Sequence, residues 1–211
     1  MTQAAERDPT GGSVWEERYA RDPEDWFFGR EPSALARLTL HFWRLCRGQN
    51  PGRLLDLGAG EGRDAVFFGQ QGFAVTAVEV APSGVRKTER LAAERGVTLA
   101  GLHAMDLRDF PLTPDYDVLF AGNSLSGLGP ECLAYLAHMR ACTPPGGLNA
   151  VRVRTREAGS TQDPPGLYAF DRNELKHEYR GWRLLYYGED LIWVPHVDGM
   201  LSFADIIAAA P

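Results

Sequence analysis

The chain of 211 residues has little cysteine, little positive charge and no long apolar run. Its three cysteines, Cys46, Cys132 and Cys142, form no CxxC pair, which favours reduced thiols in the cytoplasm over a disulfide framework. Lysine and arginine number 22 against 28 aspartates and glutamates, so the basic excess typical of nucleic-acid binders is missing. No apolar run approaches the roughly 18 residues of a membrane span. We expect neither nucleic acid nor membrane as a partner.

Two further absences narrow the class. The first 13 residues are polar and lack the apolar core of a signal peptide, so we expect them to be disordered. No clustered set of histidine, cysteine and acidic residues is present, so we expect no metal. The remaining composition, 44% hydrophobic and 24% charged, is that of an ordinary globular enzyme or small-ligand binder of one domain.

The pattern of apolar residues predicts a doubly wound α/β fold. After a first helix, capped by Ser33 and ended by Gly48, short apolar strands alternate with helices through residues 53–154. One of those helices is expected over 83–96, with Ser83 as its N-cap. Alternation of this kind predicts parallel βαβ units in a Rossmann-like, mostly parallel, seven-stranded sheet with helices on both faces. The last two strands, near 182–190 and 201–209, are expected to form a hairpin whose last strand is antiparallel.

A glycine-rich turn is the sharpest signal for function. The run Asp56-Leu57-Gly58-Ala59-Gly60-Glu61-Gly62 follows the first strand directly and precedes a helix. Glycine at such a turn permits positive φ and lets a ligand approach the backbone. Glu79 closes the second strand, where its carboxylate can accept two hydrogen bonds from a ribose diol. Together these features predict a site for a nucleoside or a nucleotide.

Spacing and charge distinguish between nucleosides. A dinucleotide turn reads GxGxxG, whereas the glycines here are spaced GxGxG, and no GK[ST] follows as in a P-loop. Asp56 and Glu61 would repel a pyrophosphate but attract an ammonium group. S-adenosylmethionine carries an ammonium group and a sulfonium and has no phosphate, so the charges favour it over NAD.

This order of motifs resembles the class I S-adenosylmethionine-dependent methyltransferases. The resemblance rests on residues 56–62, Glu79, Asp106-Leu107 after the third strand and the PPGG run at 144–147. It implies that the glycine turn lines the methionine part, that Glu79 holds the ribose and that Asp106 faces the adenine amino group. S-adenosyl-L-methionine would be the cofactor and S-adenosyl-L-homocysteine the product. The implied cofactor residues are Asp56, Gly58, Ala59, Gly60, Gly62, Arg63, Glu79, Val80, Asp106, Leu107, Asn123 and Ser124.

A narrower resemblance points to the tellurite-resistance-B-type methyltransferases. The segments GEGRDAVFFGQQGFAVTAVE (60–79) and LYAFDRNELKHEYRGWRLLYYGED (167–190) are similar to that family, which is small, cytosolic and single-domain. The family methylates metalloid oxyanions and small polarizable nucleophiles. His196 occupies the place of its C-terminal histidine, but no lysine or arginine follows Arg183. We therefore expect a thiol or another small neutral nucleophile as the acceptor rather than an oxyanion.

The acceptor side has three candidate groups. The aromatic residues before the first helix are expected to form a lid over the acceptor, and aromatic rings also suit a sulfonium; alternatively they only seal the sheet. His196 and Arg154 are the candidate catalytic residues. Arg154 and Arg156, near a strand end, would receive an anionic acceptor, or else are simply solvated. The lid residues are Trp15, Tyr19, Trp26 and Phe28.

The predicted organisation is a single domain. Residues 1–48 supply the tail, the lid and the first helix, and 49–211 form the methyltransferase domain, acting as a monomer or homodimer. Two alternatives remain from the sequence: a nucleotide-dependent oxidoreductase and a non-catalytic nucleoside-binding module.

Overall fold

A seven-stranded sheet with helices on both faces organises the chain. The computed structural model describes residues 10–157, 166–194 and 197–211. The strands are β1 (Arg53–Leu57), β2 (Ala74–Glu79), β3 (Gly101–Ala104), β4 (Val118–Gly122), β5 (Leu148–Arg154), β6 (Arg183–Val194) and β7 (Gly199–Ala209). The α-helices are α1 (Thr10–Ala20), α2 (Ala34–Arg47), α3 (Arg63–Gln70), α4 (Pro82–Glu94), α5 (Cys132–Ala141) and α6 (Glu174–Glu178). Two 3₁₀ helices span Leu107–Asp109 and Leu125–Glu131.

The strand order is β3-β2-β1-β4-β5-β7-β6. The pairs among β1 to β5 are parallel, whereas β7 is antiparallel to both β5 and β6. The predicted fold, including the terminal hairpin and its antiparallel last strand, is confirmed. The carboxyl ends of β1, β2, β4, β5 and β6 consequently meet at one edge of the sheet, where such folds bind their ligands.

Burial on both faces explains why the strands are apolar throughout. One face packs on α5 and α6 through residues such as Leu55, Val151 and Leu136. The other packs on α2 and α3 through residues such as Trp43 and Phe68. A parallel sheet covered on both sides needs apolar residues at successive positions, which is the pattern read from the sequence.

The structure differs from the sequence prediction at the amino-terminal side. Helix α1 begins at Thr10, so residues 10–13 are helical rather than disordered, and residues 1–9 lie outside the described ranges. Ser83 is not an N-cap: α4 is capped by Ala81 with Pro82 in its first turn, a position that suits proline because no partner is needed for its missing N–H. The Ser83 backbone N–H and hydroxyl instead donate to Glu16 at 2.7 Å each. That contact ties α1 to α4.

Within the described residues, no helix is long and apolar enough to cross a membrane.

Candidate cofactor and acceptor site

The glycine turn between β1 and α3 is built at positive φ. Gly58, Gly60 and Gly62 have φ of 77°, 58° and 86°. A Cβ at Gly58 would lie 2.3 Å from Cβ of Ser124, and one at Gly62 would lie 2.6 Å from Oγ1 of Thr88. Backbone conformation and close packing therefore both require glycine here.

Two buried polar oxygens beside the turn have no protein partner. Asp56, at the end of β1, is 1% exposed, and its Oδ2 has no hydrogen bond, nor has the buried Oδ1 of Asn123 after β4. Burial, followed by the nearby carboxylates of Asp64 and Glu79, raises the pKa of Asp56 well above its ordinary value. Asn123 itself has φ of 81°, an unusual conformation for a residue with a side chain. A ligand that carries a cationic N–H donor would satisfy both oxygens.

Glu79 closes β2 directly beside this turn. Its Oε2 accepts from the Gly60 N–H at 2.8 Å and its Oε1 from the Ala81 N–H at 2.9 Å. Burial raises the pKa of Glu79, and these backbone donors oppose the shift. The carboxylate is thus fixed in position by the turn that it adjoins.

Asp106 and Leu107 follow β3 in the 3₁₀ turn. Asp106 caps that turn by accepting from the Arg108 N–H at 2.9 Å, and its carboxylate also receives the Arg108 guanidinium. Leu107 is 8% exposed. Val80, after β2, lies under α1, where a Cβ at Gly12 would be 3.2 Å from its methyl carbon. These residues form the side of the site that faces β2 and β3.

Three of the four predicted lid residues come together above the turn. Trp15 stacks on Tyr19 with ring centroids 5.5 Å apart and lies 6.0 Å from Phe28. The Tyr19 hydroxyl reaches Gly60, where a Cβ would be 3.0 Å away. Trp26 is not part of this group, because it packs with Val66 on the outer side of the helices α3 and α4.

Side chains that follow the glycines fasten the aromatic segment to the turn. Glu61 accepts from the Phe28 N–H at 3.2 Å, Arg63 donates to the Phe28 carbonyl at 2.5 Å, and Asp64 accepts from the Ser33 N–H at 2.6 Å. Burial raises the pKa of Asp64. Sequence reasoning missed these contacts, because the residues that meet lie about 30 positions apart.

A buried ion pair strengthens this attachment. The Lys87 ammonium on α4 lies 2.8 Å from Glu61 Oε1, with the two side chains 7% and 2% exposed. The same ammonium donates to the Asp25 carbonyl at 2.5 Å. No local sequence pattern predicts this ion pair between Lys87 and Glu61. Gly84 was also missed, although glycine inside a helix signals a close approach: a Cβ there would lie 2.7 Å from the Gly60 carbonyl oxygen.

The candidate arginines are engaged with protein groups. Arg152 makes two bonds of 2.6 Å to Asp205, and the buried Arg154 donates to the Ser202 carbonyl at 2.8 Å. Arg156 lies 2.7 Å from Asp171. His196, the other candidate catalytic residue, lies outside the described residues. In the described ranges no group of three or more potential ligand side chains could hold a metal.

The fold is that of the class I S-adenosylmethionine-dependent methyltransferases. Residues 39–199 match the family model described as tellurite resistance protein TehB. The chain belongs to that family.

Individual proteins are similar to this chain in sequence or in fold. Hemagglutinin 1 of Eikenella corrodens is 31% identical over 170 residues, covering 76% of this chain and 55% of its own length. The 2-heptyl-1-hydroxyquinolin-4(1H)-one methyltransferase of Mycobacteroides abscessus is 27% identical over 99 residues, covering 47% and 40%. The chain thus spans about half the length of these curated relatives. The crystal structure of TehB from Haemophilus influenzae superposes with a TM-score of 0.71 at 18% identity, covering 93% of this chain and 67% of that one. Other matching structures are methyltransferases with S-adenosylhomocysteine bound.

Proposed function

We propose that this protein transfers the methyl group of S-adenosyl-L-methionine to a small-molecule acceptor that is a thiol or another neutral nucleophile. The observation that carries the proposal is the turn at Gly58, Gly60 and Gly62 with the unpartnered, buried oxygens of Asp56 and Asn123 beside it. The cofactor supplies an activated methyl group on a sulfonium, without phosphate. Binding the cofactor, orienting the acceptor and excluding water are the roles proposed for residues of this chain.

The cofactor roles follow from position in the sheet. Asp56 and Asn123 would accept from the ammonium group, and the turn at Gly58 would receive the methionine part. Glu79 would accept from the ribose hydroxyls while keeping its bonds to the backbone, because a carboxylate has about four acceptor sites. Val80, Asp106 and Leu107 would enclose the adenine, and Arg63 and Ser124 would support the turn from either side. Ala59 would contribute backbone only.

Positioning is the main contribution we assign to catalysis. Holding two reactants in line supplies much of the rate of such a transfer. A thiol that has already given its proton to solvent attacks as the thiolate and needs little help from a base. Trp15, Tyr19 and Phe28 would close over the reacting atoms and exclude water. Trp26 would act through packing. His196 stays a proposed catalytic residue.

The contacts of three arginines bear on the type of acceptor. Arg152, Arg154 and Arg156 each have a protein partner, two of them a carboxylate. An anionic metalloid acceptor would compete with those partners, whereas a neutral acceptor leaves them in place. This supports the neutral class, although the family's description names tellurite. The relative from Mycobacteroides abscessus is named for an acceptor that carries a hydroxyl on an aromatic ring, which is one member of the neutral class.

A ligand panel tests the cofactor assignment. Saturating S-adenosylhomocysteine at about 100 times its Kd should stabilise the protein by about 2.7 kcal/mol. For a chain of this size that is a rise in Tm of roughly 5–10 °C. NADH should give none. A shift with NADH alone would instead support the oxidoreductase.

Turnover separates the enzyme from a binding module. Release of S-adenosylhomocysteine is measured with small thiols, a hydroxylated heteroaromatic compound, selenite and tellurite. We expect release with a thiol or the heteroaromatic compound. Turnover of selenite or tellurite that is lost in Arg154→Ala or Arg156→Ala would reverse the choice of acceptor. Binding without any turnover would favour the non-catalytic binding module.

We also propose that the protein works in the cytoplasm. Its three cysteines are free of disulfides, which fits a reducing compartment.

A further inference from the structure

An arginine beyond the end of β3 binds both oxygens of the carboxylate that the proposed function assigns to the adenine. Arg108 donates from its backbone N–H and from Nε to Asp106 Oδ1 at 2.9 Å each, and from a terminal nitrogen to Oδ2 at 2.5 Å. Two parallel bonds from one guanidinium to one carboxylate fix the plane of the carboxylate as well as its position. The Asp106 carboxylate is therefore held in one orientation.

The same guanidinium is anchored on its other side. Its second terminal nitrogen donates to Glu131 Oε2 at 3.0 Å, at the end of the second 3₁₀ helix. The hydrogen bonds to Asp106, and after them those to Glu131, raise the pKa of Arg108 above its ordinary value, so Arg108 stays charged at neutral pH. The three side chains thus join the turn after β3 to the segment that follows β4.

The order of the strands indicates which part of the cofactor would reach Asp106. Asn123 follows β4, Asp56 lies near the end of β1, Glu79 ends β2, and β3 is the next strand of the sheet. Neighbouring strands lie about 4.8 Å apart, so the three steps from β4 to β3 span roughly 14 Å. A methionine part at Asn123 and a ribose at Glu79 consequently direct the base to the end of β3.

The surroundings of Asp106 suit one edge of a purine. Glu79 pairs with Ala104 across the sheet, and Asp106 lies two residues beyond that pair. Leu107 beside it is buried, and Val80 follows Glu79, so both apolar side chains lie close to the carboxylate along the chain. A carboxylate paired with a guanidinium accepts hydrogen bonds and does not donate them, so it favours a base whose edge carries an amino group.

We propose that Arg108 is the positioning residue that makes the site specific for adenine, because it holds Asp106 in the orientation that accepts from the 6-amino group. The inference rests on the proposed function and deepens it, since it assigns the selectivity for the base to a residue that acts through Asp106. The paired donors of the guanidinium are the feature required, and not its charge alone. A lysine ammonium is a point charge and does not fix the plane of a carboxylate.

The experiment compares S-adenosylhomocysteine with its analogue in which purine replaces adenine, so that only the 6-amino group is missing. Calorimetry measures the Kd of each ligand, and the ratio of the two values reports the contribution of the amino group. A hydrogen bond to a charged acceptor contributes about 10- to 100-fold in affinity. Because the Asp106 side chain is 25% exposed, we expect the lower end of that range, a ratio of about tenfold, in the parent protein.

Arg108→Met should reduce this ratio to below about threefold, and Arg108→Lys, which keeps the charge, should give an intermediate value. Asp106→Ala defines the ratio without the carboxylate, which should be close to one. Arg37→Met is the matched control, because Arg37 is also a surface arginine beside a carboxylate, 3.7 Å from Glu31, but lies on α2. Its ratio should equal that of the parent protein. A general loosening of the structure would weaken both ligands alike, so the ratio isolates the effect on the base.

An unchanged ratio in Arg108→Met or in Arg108→Lys would overturn the inference, and so would an equal fall in Arg37→Met. A ratio that rises in Arg108→Met would show that Arg108 competes with the ligand for Asp106, which also contradicts the positioning role. A ratio near one in the parent protein would show that Asp106 does not recognise the amino group, and it would leave the proposed function standing. Failure to bind S-adenosylhomocysteine, by contrast, defeats the proposed function itself.

Discussion

At the scale of single residues, the site depends on positions where a side chain is excluded. Gly58 illustrates this, because it has a positive φ and because an added Cβ would lie only 2.3 Å from Cβ of Ser124. The sequence predicted that this turn needs glycine, since the GxGxG spacing follows a strand. It could not predict Ser124 as the neighbour, because the two residues meet only through the pairing of β1 with β4.

Gly58→Ala should destabilise the fold and weaken cofactor binding. The left-handed conformation costs a residue with a Cβ about 1 kcal/mol, and the collision with Ser124 adds to that cost. Ser124→Gly in the same chain should recover the part due to the collision and leave the part due to φ. The measurements are Tm and calorimetric affinity for S-adenosylhomocysteine. No recovery in the double variant would refute the packing explanation.

Glu79→Gln should lower affinity for S-adenosylhomocysteine by roughly 10- to 100-fold. Hydrogen bonds to a charged acceptor contribute about 1.5–3 kcal/mol each, and the amide replaces one carboxylate oxygen by a donor. Gln also keeps one oxygen for the Gly60 or Ala81 N–H, so the fold should survive better than in Glu79→Ala. Calorimetry on the folded variant measures the change. Unchanged affinity would refute the assignment of Glu79 to the ribose hydroxyls.

At the scale of elements, α1 and the segment that follows it are held by contacts that no local pattern reveals. Ser33 and Gly48 were identified because caps act within a few positions, and the Ser33 side chain does accept from the Ala36 N–H at the start of α2. Helix α1 was not predicted, because residues 10–13 contain two glycines and the helix is stabilised by docking on α4 rather than by propensity. Contacts between residues far apart in the chain are therefore the part of the structure that the sequence does not predict.

Lys87→Met should release the aromatic segment from the glycine turn. The substitution leaves Glu61 as an unpaired buried charge, a loss of about 3–5 kcal/mol in the free energy of unfolding. Adding Glu61→Gln should recover part of that loss. Glu24→Ala is the matched control, since Glu24 pairs with Arg90 on the same segment but is 83% exposed and should cost below about 1 kcal/mol. Urea denaturation compares these three variants with the parent protein. Equal losses for Lys87→Met and Glu24→Ala would show that the buried pair is unimportant.

At the scale of the whole molecule, the fold was predictable because each strand is a short apolar run separated by a helix and a turn. That pattern predicts the fold class, and the Asp56–Gly62 turn indicates which edge of the sheet carries the candidate cofactor site. The strand order was beyond the sequence, since it depends on which strands pair. Gathering the carboxylates of Asp56, Asp64 and Glu79 at one edge is likewise a product of the fold, and it has an electrostatic consequence.

Affinity for S-adenosylhomocysteine should rise with pH while the stability of the free protein falls. Burial raises the pKa values of Asp56, Asp64 and Glu79 in the folded chain, so their stabilising contribution is full below the ordinary values, 3.8 for aspartate and 4.5 for glutamate. That contribution is lost as pH increases through the pKa values of the folded protein.

An ammonium group bound beside Asp56 favours the ionised carboxylate, so binding should release protons. For one proton released, affinity should rise by up to tenfold per pH unit. Calorimetry below pH 7, in buffers of different ionisation enthalpy, measures the release while the ligand's own ammonium stays protonated. Asp56→Asn should abolish most of it and should stabilise the free protein at neutral pH, because the amide carries no charge to bury; proton uptake on binding in the parent protein would contradict the placement of the ammonium group at Asp56.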